Sequence, residues 1–153
     1  MLAIRAILHP TDFSDNSRQA FDLACSLARD HRARLIVVHV LPEPRVPLGG
    51  IMTPPPAEDY PEARKQLAKI KVSDHRIQLD RRLAVGDPVT EICRLARNAK
   101  CRLIVMGTHG QKGLNRFLMG SVAEQVVRKA DCPVLTVRLP ILIRPRQRTL
   151  AKV

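Results

Sequence analysis

The segment Arg34–Leu41 reads RLIVVHVL, an almost unbroken apolar run rich in Val and Ile, as a buried parallel strand covered on both faces reads. A strand with one wet face alternates apolar and polar residues, and this one does not. A parallel sheet with helices on both sides is therefore the first expectation. Four more short runs fit that scheme. Residues 3–8 (AIRAIL) lead to Pro10, 76–85 alternate in part and stop at Gly86, 102–106 read RLIVM, and 133–137 read PVLTV.

Helical patterns fill the gaps between these runs. Ser14 or Asp15 can cap a helix whose apolar positions are Ala20, Leu23, Ala24, Leu27 and Ala28. Residues 62–72 form a short, mostly polar helix. Asp87 caps another, with Pro88 at its first position and a stripe at Val89, Ile92, Cys93, Ala96 and Ala99. A last helix begins near Gly120 and carries Val122, Ala123, Val126, Val127 and Ala130. Strand and helix alternate throughout, and parallel crossovers are right-handed. The expected fold is a single-domain, doubly wound α/β structure with a five-stranded parallel sheet in the order 3-2-1-4-5 and helices on both faces. The domain spans 1–138. Within it, 42–61 is a long irregular connection containing Pro42, Pro44, Pro47, Pro54, Pro55, Pro56 and Pro61. Residues 139–153 form a basic tail, extended or disordered, with Arg144, Arg146, Arg148, Lys152 and no acid.

Aromatic residues make up 3% of the chain, so the core must be built from Leu, Ile, Val and Ala. A formal net charge of +12 favours acidic partners (a nucleotide, a nucleic acid or an anionic surface) without choosing among them. None of the 4 cysteines (Cys25, Cys93, Cys101, Cys132) lies in a C-x-x-C pair, which argues against a zinc or redox motif and for small buried hydrophobes in a reducing compartment. No apolar run approaches the ~18 residues that span a bilayer, and residues 1–8, interrupted by Arg5, are too short for a signal sequence. A soluble cytoplasmic protein without a membrane span is expected.

In a doubly wound sheet, ligands bind beyond the carboxyl ends of the strands where the strand order reverses. In the order 3-2-1-4-5 that point lies between strands one and four. Strand one runs into His9, Pro10, Thr11 and Asp12; strand four runs into Gly107, Thr108, His109 and Gly110. Phosphate binding needs free backbone N–H groups and close approach, and glycine permits both. Gly107 and Gly110 make a turn off the strand, while Gly120 and Ser121 open a helix whose N-terminus favours an anion. The Ser121 hydroxyl can add a hydrogen bond, and Lys112 and Arg116 add charge. The pattern is neither a Walker A loop nor a dinucleotide G-x-G-x-x-G. Of the histidines, His9 reads as structural and His39 as a satisfied core residue, while His109 lies inside the glycine loop.

Gly107-x-x-Gly110, nine residues, then Gly120-Ser121 resembles the nucleotide motif of the universal stress protein family, in its ATP-binding branch. ILHPTDFSDNSRQAFDLACSLA, RLIVVHV, GDPVTEI and GSVAEQVVRKADCPVLTVR extend the resemblance over nearly all of 3–137. It implies that Asp12, beside Pro10 and Thr11, contacts the adenosine; that Val40 meets the adenine; that Met106 and Gly107 border the nucleoside; and that Gly110, Gly120, Ser121 and Val122 line the phosphates. Thr108 and His109 complete the loop. It also implies a homodimer through 133–137 and a role as a nucleotide switch in the stress response. The Pro-rich loop, the short second helix and the basic tail depart from the family pattern.

Two other functions are carried beside this one. A slow ATPase or phosphoryl-transfer enzyme would use Ser121, His109 and Lys112 near a γ-phosphate. No dedicated base is visible, and Mg2+ would arrive with the nucleotide phosphates. A nucleic-acid or anionic-surface module would rest on the charge, but no aromatic residues interleave the basic ones.

Overall fold

A computed structural model describes residues 3–43, 60–108 and 120–138. The elements run β1 (Ala6–Pro10), α1 (Asp15–His31), β2 (Arg34–Leu41), α2 (Pro61–Lys69), β3 (Leu79–Val85), α3 (Pro88–Asn98), β4 (Leu103–Gly107), α4 (Ser121–Lys129) and β5 (Val134–Val137). All five strands are parallel, in the order β3-β2-β1-β4-β5. The architecture expected from the sequence is the one observed.

Strand alternation sorts the core into two layers. Ala6 and Leu8 of β1, Ile36 and Val38 of β2, and Ile104 and Met106 of β4 pack against α3 (Val89, Ile92, Leu95, Ala96) and α4 (Ala123, Val126). Their neighbours Ile7, Leu35, Val37 and Val105 face α1 and α2. Helix α1 meets the sheet through Ala20, Ala24 and Ala28, spaced one turn apart and fully buried. Small side chains there let the helix lie close to the strands, and this is how a chain poor in aromatics still fills its core. The thiols sit at the margins of these layers or inside them, all free and all with pKa values raised by burial, as befits inert small hydrophobes.

The strand ends differ slightly from the sequence expectation. β1 starts at Ala6, where pairing with Arg34 begins, and continues through Pro10, opposite Val38. Proline is tolerated at this last position because the N–H it lacks would point towards β4, whose register with β1 ends at Leu8, while on the β2 side the Thr11 N–H still donates to the Val38 carbonyl at 2.8 Å. β4 likewise extends one residue to Gly107, paired with Val137 of β5. β3 begins later, at Leu79, and α2 ends earlier, at Lys69. No described helix is long and apolar enough to cross a membrane.

Candidate functional site

The carboxyl ends of β2, β1 and β4 lie side by side, and nine of the twelve singled-out residues belong to these ends, to the turn after β1 or to the start of α4. Thr108 directly follows β4. His109 and Gly110, with Lys112 and Arg116, lie outside the described residues.

On the α3/α4 side, Met106 is a buried member of the apolar layer, and Val40 and Val122 pack against it partly buried. Pro10 shares the β1 face of Ala6 and Leu8 by alternation. An apolar floor thus forms from four different elements. Above it, the chain leaves β4 at Thr108, whose N–H donates to the Val137 carbonyl at 3.0 Å and whose own carbonyl accepts the Gly120 N–H at 2.6 Å. That last bond closes the loop and brings the start of α4 back to the end of β4.

The N-termini of the helices are treated unequally. Ser14 caps α1, accepting the Ser17 N–H at 3.2 Å, and Asp87 caps α3, accepting the Thr90 N–H at 2.9 Å. Gly120 caps α4, and Tyr60 caps α2, with no side-chain hydrogen bond. The first hydrogen bond of α4 runs from the Glu124 N–H to the Gly120 carbonyl, so the N–H groups of Ser121, Val122 and Ala123 have no partner inside the helix. Such an end, with its positive dipole, is chemically suited to an anion.

Across from it stands the turn after β1. The Asp12 Oδ1 accepts the Ser14 N–H at 3.0 Å and the Ser14 hydroxyl at 2.6 Å, which pins the carboxylate to the cap of α1. Phe13 adopts φ +63°, a left-handed conformation unusual for a bulky residue. Its ring lies 4.5 Å from that of His39, whose Nδ1–H donates to the Thr11 carbonyl at 2.7 Å. Gly107 is closely approached by α1: a Cβ there would sit 3.1 Å from the Asn16 backbone in the first turn of the helix. The Asn16 Oδ1 is buried without a hydrogen-bond partner. Among the described residues no group of three or more His, Cys, Asp or Glu could hold a metal ion.

Sequence reading placed His39 as a satisfied core histidine; it is satisfied, but it is only partly buried and braces the Thr11 carbonyl at the site. It passed over Ser17 and Asn16. A serine three residues after a cap is a weak cue, since first turns are often polar.

The profile of the universal stress protein family matches residues 3–138. Universal stress protein MJ0531 of Methanocaldococcus jannaschii is 35% identical over 142 residues, which is 89% of this chain and 83% of the relative. A solved universal stress protein in complex with cAMP superposes with a TM-score of 0.66 at 25% identity, covering 90% of this chain and 98% of its own. The universal stress protein from Archaeoglobus fulgidus in complex with dAMP gives a TM-score of 0.63 at 26% identity, covering 90% of this chain and 100% of its own. On this match, which takes in the sheet and all four helices, the chain belongs to the universal stress protein family.

Proposed function

We propose that this protein binds ATP, or a close adenine nucleotide, at the joined ends of β2, β1 and β4, and that occupancy switches its contacts in a stress response. The observation that carries the reading is the pairing of two features at the carboxyl end of the sheet. One is the apolar floor of Val40, Met106 and Val122; the other is the α4 N-terminus capped by Gly120 without a side chain. The floor suits a purine face, and the N–H groups at the start of α4 suit phosphate oxygens. Asp12, held by Ser14, stands where a ribose or adenine donor would meet an acceptor. The two adenine nucleotide complexes among its relatives support the ligand class. Pro10, Thr11, Gly107, Thr108, His109, Gly110 and Ser121 complete the proposed contacts. Mg2+ would come with the phosphates, keeping water at its other positions.

A homodimer through 133–137 belongs to the same proposal. β5 is an edge strand with Leu135 38% exposed, and an open edge of this kind is a pairing surface.

Calorimetry with ATP and Mg2+ on nucleotide-free protein tests the reading, beside mass analysis of any co-purifying nucleotide. Heat and a thermal shift are expected, and both vanish in Gly120→Val, whose side chain crowds the phosphate end. Neither heat nor shift at about millimolar ATP overturns it.

A further inference from the structure

A buried polar chain runs beneath the proposed site, from His9 and Ser17, which lie outside its contacts, to Thr11. His9 is 1% exposed and Ser17 4%, both within the layer that Ile7, Ala20 and Val105 otherwise fill with aliphatic groups. The His9 Nδ1 lies 2.9 Å from the Val105 carbonyl, which can only accept, so Nδ1 carries the proton. Burial keeps the ring neutral, leaving Nε2 as an acceptor. The Ser17 hydroxyl donates to the Thr11 Oγ1 at 2.7 Å, and its oxygen lies 3.4 Å from Nε2. Thr11 Oγ1 in turn accepts the Phe13 N–H at 3.1 Å.

The chain therefore joins β4 to β1, to α1 and to the turn after β1, across the pair of strands where the sheet order reverses. Every polar atom of Thr11 is engaged: N–H to Val38, carbonyl from His39, hydroxyl in this chain. Ser17 reaches the Asp12 carboxylate by a second route, since its N–H donates to the Ser14 Oγ that donates to Asp12. Aliphatic residues would fill the same space without the desolvation cost of burying polar groups. What the polar chain adds is direction: it holds Phe13 in its left-handed conformation and fixes the turn relative to β4.

We propose that His9 and Ser17 are positioning residues for the nucleotide, acting through Thr11 to set where the Asp12 carboxylate stands against β4. The inference rests on the nucleotide reading above.

Ser17→Ala removes the hydroxyl and keeps the backbone route through Ser14. His9→Asn keeps a donor for Val105 and removes the acceptor that faces Ser17. Each is expected to weaken ATP binding by about ten-fold at neutral pH, and the double variant by little more than either alone, because both break one chain. Exchange of the Phe13 amide, read by NMR without nucleotide, is expected to accelerate in both. A merely structural role would lower Tm and leave the affinity of the folded protein unchanged. A wild-type protein that binds ATP while Ser17→Ala binds it equally, within about two-fold, overturns this inference alone. A wild-type protein that binds no nucleotide overturns the nucleotide reading and the ligand part of the inference, and unchanged Phe13 exchange in Ser17→Ala overturns the bracing of the turn.

Discussion

Lowering the pH from about 7 to about 5 protonates His9 in the unfolded chain and leaves it neutral in the fold. Burial pushes its pKa down from 6.5 to about 4, against the opposing pulls of the Val105 carbonyl and the Asp12 charge. The sign follows from that order. Above 6.5 both states are neutral and the group contributes no pH dependence. As the pH falls, the unfolded chain takes a proton that the fold refuses, and stability drops until the folded pKa is passed. The loss is ~2 kcal/mol at about pH 5 and approaches ~3 kcal/mol below about pH 4. Against a total of about 5–15 kcal/mol for a domain, this is a sizeable fraction. Urea denaturation of wild type and His9→Asn at both pH values isolates it, since every other titrating group is shared by the two proteins. The variant is less stable at neutral pH, having lost one hydrogen bond, but should lose ~2 kcal/mol less than wild type on acidification. Equal losses in the two proteins would refute the argument, because His9 would then be solvated or already charged in the fold.

Gly107→Ala places a methyl group 3.1 Å from the Asn16 carbonyl carbon and oxygen, backbone atoms in a turn already pinned by the Ser14 cap. A loss of about 1–3 kcal/mol is expected in thermal denaturation, and an unchanged Tm would mean that α1 can retreat from β4 without cost. Asp87→Ala removes the acceptor for the Thr90 N–H at 2.9 Å and hydroxyl at 2.7 Å, and should cost about 0.5–2 kcal/mol, with most of it kept in Asp87→Asn. Equal losses in the two Asp87 variants would shift the explanation from capping to charge.

Much of the fold was legible because its signals are local and periodic. The run Arg34–Leu41 could be buried on both sides only in a parallel sheet, and its bounds in the structure are those read from the sequence. Pro88 after Asp87 located α3, since proline fits a first helical turn and carboxylates cap it. Edges with weaker signals moved: β1 shifted towards Pro10, and β3 lost its first residues. Strand ends depend on which neighbour is present to pair with, and pairing is not written in one strand alone.

The same division holds at the candidate site. Glycines at 107 and 120, the Asp12 that follows β1 and the helix start at Ser121 were visible as residue types in the right order, because backbone access and an anion-binding end demand them. Tertiary structure decided what supports them. His9 meets a carbonyl 96 residues away, His39 meets one 28 away, and α1 presses on Gly107. No periodicity marks such partners. A buried histidine on an apolar face looks the same in the sequence whether it idles in the core or braces a turn. Only packing β1 between β2 and β4, with α1 laid across them, brings its partners within hydrogen-bond reach.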